Sequence, residues 1–328
     1  MFFLVLKQYP NVCMAIGALF TFAITFFFIN KFMDKLPADE GRDFAVEGKL
    51  SKGKPRGAGF IFVLCFILGV LLFGSLFKMA TGYMAEILIY LLLIFVEMIT
   101  GFLDDKADKP WGRVKKGLFD LGVSILLAIT YIYSNGTTIN FLTYELNLPV
   151  WLMAVVIIFM CFLSINVTNC ADGVDGLSST LVITTLISFL IADVTFRQMH
   201  GFRYLLVFFV AALLGYLWYN AGPSILMMGD AGSRAMGIFI WITALKSGHM
   251  FLFIPFALVI ILDGGYGLFK ILVIKITKKK DFMSKLRAPL HDHVRKNLTV
   301  NWANNQCVTR FFIIQMVISI ATVYLFCR

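Results

Sequence analysis

The sequence predicts an all-α polytopic membrane protein with about ten transmembrane helices, both termini outside and an active site on the cytoplasmic face. Three observations carry this prediction: composition, the length of the apolar runs, and the sidedness of charge. Of the 328 residues, 59% are hydrophobic and 15% charged, with a mean hydropathy of +0.85. Soluble domains carry roughly 25% charged residues. Residues 58–77 and 149–165 hold no charge at all, and ~20 apolar residues suffice to cross the hydrocarbon core. The spans fall at 11–30, 58–77, 83–103, 117–134, 149–166, 177–194, 203–220, 234–246, 249–276 and 308–327. They make residues 1–328 one integral-membrane domain.

Charge then orients the bundle. Loops after the odd-numbered spans hold 22 Lys and Arg, the opposite side six, and Lys270 lies within a span. By the positive-inside rule the basic loops are cytoplasmic. The net charge of +10 therefore reads as topology and attraction to anionic headgroups rather than nucleic-acid binding. The first apolar run ends at Asn30-Lys31 without a small-residue cleavage site, so it reads as a retained span. The six cysteines, at 13, 65, 161, 170, 307 and 327, form no CxxC pair and read as small buried hydrophobes.

Four polar clusters interrupt the apolar pattern: GFLDD at 101–105, NVTNCADGVDG at 166–176, MMGDAGS at 227–233 and APLHDH at 288–293. All four fall on the basic, cytoplasmic side. Ionisable groups at membrane depth are functional candidates by default, so a shared site is expected. The adjacent carboxylates Asp104 and Asp105 suit a hard cation or a base, and Lys115 and Lys116 suit phosphate. Asn166, Asn169, Asp172 and Asp175 recur every three residues and would line one face of a helical turn. Asp230, between two glycines at a helix start, suits Mg²⁺ beside an anion held by backbone N–H groups. His291 and His293 suit phosphate or sugar better than zinc, for which a third ligand is missing, and Arg287 and Arg295 add charge. Glu97, about 10 Å deeper than Asp104 on the same helical face, and Asp263, beside two glycines inside a span, are candidate relay residues, and Asp263 reads as a helix break or a polar partner inside the bundle.

These motifs in this order resemble the polyprenyl-phosphate N-acetylhexosamine-1-phosphate transferases. PLHDH followed by WANNQCVTRFFII is similar to the phospho-N-acetylmuramoyl-pentapeptide transferase branch. The resemblance runs from about residue 38 to the end. It implies transfer of phospho-MurNAc-pentapeptide from its UDP carrier to undecaprenyl phosphate, with Mg²⁺, giving lipid I and UMP at a bacterial plasma membrane. It further implies Asp104 as base, Asp105 in support, Asp230 as metal ligand and Lys116 as the family lysine. Asn169, Asp172 and Asp175 would line the nucleotide pocket; His291 and His293 match the first and third family histidines, and Lys52 would contact phosphate. The sequence departs from the family at Asp292, in place of a middle histidine, and at Met227, KGKPRGAG and GRVKKG. Asp263 in its ILD setting is closer to the sister branch that uses UDP-GlcNAc. The alternative from another class is an ion-coupled transporter using Glu97, Asp263 and His249, but the polar residues gather at one face rather than the midplane. A homodimer is left open.

Overall fold

The computed structural model describes residues 9–41, 51–74, 81–107, 109–141, 144–199, 201–278, 286–297 and 299–326. Of the basic loop residues, Lys7, Arg42, Lys49, Lys78 and Arg328 are among those outside them.

Each predicted span is occupied by helix. In chain order these are α1 (Pro10–Phe32), α2 (Gly59–Gly74), α3 (Thr81–Asp105), α4 (Arg113–Asn135), α5 (Val150–Ala171), α6 (Leu177–Phe196) and α7 (Arg203–Asn220). There follow α8 (Gly229–Lys246), α9 (Phe253–Phe256), α10 (Leu258–Thr277), the short α11 (Leu290–Lys296) and α12 (Asn304–Phe326). Among the described residues, seven helices are long and apolar enough to cross a membrane; α9 and α10 make an eighth if counted together. Helix α2 is shorter, at 16 residues, and α8 carries Asp230, Arg234 and Lys246.

The fold is mostly helical, and a small hairpin joins α4 to α5: β1 (Thr138–Phe141) pairs antiparallel with β2 (Tyr144–Asn147). The ninth span is not straight; it bends by 81° between α9 and α10, about Ala257. The break is therefore not at Asp263, whose helix continues unbroken through Gly264 and Gly265.

The outer helices bury a narrow seam. In α1 the buried residues are Cys13, Gly17, Thr21, Thr25 and Ile29, one every four residues, which on a helix is a single ridge. That ridge packs on α2 and α7, while Leu19 and Phe27 stay exposed, as lipid-facing side chains do. Helix α8 is the opposite case: every one of its residues is buried, and it packs against α2, α3, α5 and α6. A helix buried on all sides is the post around which a bundle is built.

Close approach to the post depends on Gly101 in α3. A Cβ there would stand 2.4 Å from the Asp230 carbonyl oxygen and 2.5 Å from the Ala231 nitrogen, both backbone atoms that cannot swing away. Gly101→Ala is expected to lower stability by about 1–3 kcal/mol through overpacking, read as a reduced Tm in detergent. An unchanged Tm would show that α3 and α8 do not meet at this point.

Candidate active site

The four polar clusters converge where α3 ends and α8 begins. Asp105, the last residue of α3, reaches the first turn of α8: its Oδ1 accepts the Asp230 N–H at 3.0 Å and its Oδ2 the Ala231 N–H at 3.1 Å. It is an N-cap supplied by another helix, satisfying backbone donors that would otherwise have no partner. Gly229 makes room for it; a Cβ there would lie 2.1 Å from Asp105 Oδ2. The anion-binding helix start expected around Asp230 is thus occupied, and its anion is a carboxylate of the chain itself.

Two cations hold the carboxylates apart. Arg56 lies in the loop before α2, and its Nε donates to Asp105 at 2.8 Å, Nη1 to Asp39 at 3.2 Å and Nη2 to Asp230 at 3.3 Å. Burial would weaken the Arg56 charge, but Asp105, Asp230 and Asp39 outweigh it and hold the guanidinium above its ordinary pKa. The Lys116 ammonium sits between Asp104 Oδ2 at 2.5 Å and Asp230 Oδ2 at 2.7 Å. Asp104 also accepts the Trp111 N–H at 2.5 Å. Four carboxylates therefore surround two cations, leaving two negative charges in surplus within this cluster.

The Arg56 loop is stitched in place by the backbone. Met227 N–H donates to the Pro55 carbonyl at 2.8 Å, and the Met227 carbonyl accepts the Ala58 N–H at 3.0 Å. Asp39 is held by the Ser51 hydroxyl at 2.6 Å. Sequence reasoning missed both Asp39 and Arg56. Their one local signal was a charged residue in a short Pro- and Gly-punctuated loop.

A cavity of about 520 Å³ opens beside Asp230. Asn169, Asp172, Asp175 and Asp230 line it, together with Lys54, Arg56 and Arg295. Asn169 donates to Ser233 at 3.0 Å, and Asp172 accepts the Ser178 hydroxyl at 2.6 Å. Asp175 accepts the Ser224 N–H at 3.0 Å, with Lys54 at 3.9 Å. The one-face expectation for this motif holds only in part. Helix α5 ends at Ala171, so Asp172 and Asp175 sit in the turn that follows. Asn166, deeper in α5, points instead to Asp120 at 3.1 Å.

Asp104 and Lys116 stand outside the cavity wall, joined to it through Asp230. Lys52 is exposed, and Lys54 and Arg56 are the basic residues of its loop that reach the cavity. His291 is buried: its N–H and Nδ1 lie 2.8 Å and 2.7 Å from the two oxygens of Asp263. Its other face meets Gly173, where a Cβ would stand 2.3 Å from Nε2. Asp263 is thus the partner that orients His291. His293 is spent on its own loop, 3.3 Å from the Arg287 N–H and 3.2 Å from the Asn297 amide. Burial raises the Asp292 carboxyl above its ordinary range, against the pull of His291 and Arg295.

Carboxylates and cations are thus gathered at one end of a bundle of helices, most of them long and apolar enough to cross a membrane. A family model described as glycosyl transferase family 4 matches residues 87–248, a stretch that holds three of the four clusters. The phospho-N-acetylmuramoyl-pentapeptide-transferase of Treponema pallidum (strain Nichols) is 37% identical over 347 residues, 97% of this chain and 90% of the relative. The protein of the same name from Helicobacter pylori (strain Shi470) is 29% identical, covering 95% of this chain and 93% of its own. That from Bartonella quintana (strain Toulouse) is 27% identical, covering 87% and 84%. The chain belongs to the phospho-N-acetylmuramoyl-pentapeptide-transferase family.

Removing the Asp105 carboxylate uncaps α8 and leaves Arg56 with Asp39 and Asp230 alone. Asp105→Ala is expected to cost about 1–3 kcal/mol, the range for buried donors left unsatisfied. Lys52→Ala, at an exposed site, should stay within about 0.5 kcal/mol. Thermal unfolding in detergent compares them; equal midpoints would remove Asp105 from its structural role.

Proposed function

We propose that the protein transfers phospho-MurNAc-pentapeptide from UDP-MurNAc-pentapeptide to undecaprenyl phosphate, forming lipid I and UMP. The observation that carries this reading is the Lys116 ammonium held between Asp104 and Asp230, with a polar cavity on the Asp230 side. In this reading the chain crosses a bacterial plasma membrane ten times as one domain, with both termini outside. The cavity then faces the cytoplasm, where the nucleotide is found.

The donor's nucleotide occupies the cavity against Asn169, Asp172 and Asp175, with Lys54 and Arg295 toward its phosphates. The acceptor phosphate approaches from the Asp104 side. Asp104 takes a proton from that phosphate, and one of its oxygens bonds to the sugar-side phosphorus. The bond from that phosphorus to the oxygen of the UMP phosphate breaks, and UMP leaves. Lys116 lies where negative charge accumulates, and the chain's main task is to align and neutralise. His291, fixed by Asp263, props the turn at Gly173 that carries Asp172 and Asp175.

The residues fit Mg²⁺ in charge and in donor type. The surplus of two negative charges and the carboxylate oxygens suit a hard divalent ion. Among the described residues no three His, Cys, Asp or Glu side chains form a closed metal cage. Mg²⁺ is commonly held by one or two carboxylates plus substrate phosphates, and Asp230 is the proposed ligand. Bound there, the ion would neutralise phosphate charge.

Purified protein with undecaprenyl phosphate should release UMP from UDP-MurNAc-pentapeptide, and EDTA should stop it. Asp104→Asn and Asp230→Asn should each reduce the rate by about 10²–10⁴-fold. Release from UDP-GlcNAc instead would move the protein to the sister branch. Substrate uptake by proteoliposomes without UMP would sink the transferase reading.

A further inference from the structure

A second charged cluster lies directly beneath the first and is built from the same helices. Arg234 of α8 is 2% exposed, and its Nη2 lies 2.9 Å from Glu97 Oε2 of α3. The same nitrogen pairs with Asp120 Oδ1 of α4. The other Asp120 oxygen accepts from Asn166 of α5 at 3.1 Å. We infer that Glu97, Asp120 and Arg234 are positioning residues: a buried lower tier whose pairing sets the register of Asp104, Lys116 and Asp230 in the tier above. This rests on the reading of Asp104 and Asp230 as the reacting centre.

The spacing along each helix carries the inference. Arg234 follows Asp230 by four residues, and Asp120 follows Lys116 by four. Glu97 precedes Asp104 by seven, and Asn166 precedes Asn169 by three. These are whole turns, or nearly so, at 3.6 residues each. On all four helices the lower residue therefore stands under the upper one on the same face. Chain direction agrees: α3 and α5 end at the site, α4 and α8 begin there, and each lower residue lies on the inward side.

Each tier contains a cation shared by two carboxylates: Lys116 of α4 between Asp104 and Asp230 above, where Asp230 also meets Arg56, and Arg234 of α8 between Glu97 and Asp120 below. Arg234 is tied to α3 and α4 together, so α8 can neither turn nor slide without breaking a buried pair. Asp230, one turn away on α8, inherits that constraint.

Stability alone does not account for the lower tier. Glu97 Oε1 and Arg234 Nη1 are buried without a hydrogen-bond partner, which is a cost. Buried ion triads are often no more stable than apolar residues of similar volume, and their attested use is to specify register. Asn166, missing from the cavity wall, is explained as well: it completes the lower tier through Asp120.

The test separates register from stability. The apolar triple variant Glu97→Met, Asp120→Leu, Arg234→Met should keep or raise the Tm in detergent. Its kcat for UMP release should fall about 10²-fold, the scale of a misplacement near 1 Å, while the donor KM stays within about threefold. Arg234→Lys keeps the charge but loses the second donor, Nε, which also reaches Glu97 at 3.1 Å; with an unchanged Tm, its kcat should fall about tenfold, part-way to the triple variant. Wild-type kcat in either variant overturns the inference, and so does a kcat that merely follows Tm across the series. If the triple variant does not fold, Arg234→Lys decides alone. Asp104→Asn and Asp230→Asn run in the same assay. Activity in those would sink the reading of the upper tier, whereas their inactivity beside fully active Arg234 variants sinks the lower tier only.

Discussion

The Asp105 carboxylate is the point on which the rest of the site depends. A helix start presents backbone N–H groups and a partial positive charge, both of which need an acceptor. Asp105 supplies both the acceptor and the charge from α3. Once it does so, the first and third clusters are fixed relative to each other. Arg56 closes the arrangement by binding Asp105, Asp39 and Asp230 together, which draws the loop before α2 onto the same spot. Three segments far apart in sequence are thereby held by one carboxylate and one guanidinium.

The same logic recurs at the far end of α8. Lys246 donates to both oxygens of Glu86 at 3.0 Å and to Asn135 at 2.7 Å. Tyr90 and Asn135 each donate to Glu86 at 2.6 Å. Glu86 belongs to α3 and Asn135 to α4, the helices that also face Arg234. A single post is therefore pinned to the same two neighbours at both ends, with apolar packing between. Apolar contact in lipid gives helices little preference for one register over another, because lipid tails are equally apolar. Buried charge supplies that preference, since a slipped register would leave an ion without its partner.

Much of this was legible in the sequence. The apolar runs located the helices, and four polar clusters at their ends marked the residues that meet. What sequence could not supply was pairing. Nothing near Asp105 says that it caps α8 rather than holding a cation, because its donors lie more than a hundred residues away. Asp263 read as a helix break or a polar partner; that the partner is His291, from another element, was not legible in the sequence. The bend fell instead at Ala257, two residues after Pro255, which was its local mark. Arg56, Asp39 and Asp120 were passed over because a single charge in a loop or at a helix start is ordinary until its partners are known. Asn166 shared a three-residue period with Asn169 and Asp172, and the period hid the fact that the helix ends between them.

Charge economy links the pairing to the proposed chemistry. A site for two phosphate-bearing substrates should repel carboxylates, yet four gather here. They are held by Arg56 and Lys116, so the cations that would meet phosphate are already partly neutralised. Substrates arriving with Mg²⁺ would reverse the balance: the ion would take up carboxylate charge at Asp230, and Lys116 would be freed to face phosphate. The surplus carboxylates would then make the proposed site respond to the ion and the phosphates jointly. A simple basic pocket would bind either phosphate alone. That response needs Asp104, Lys116 and Asp230 to stay in line while their partners change, which is the reason a rigid lower tier belongs beneath them.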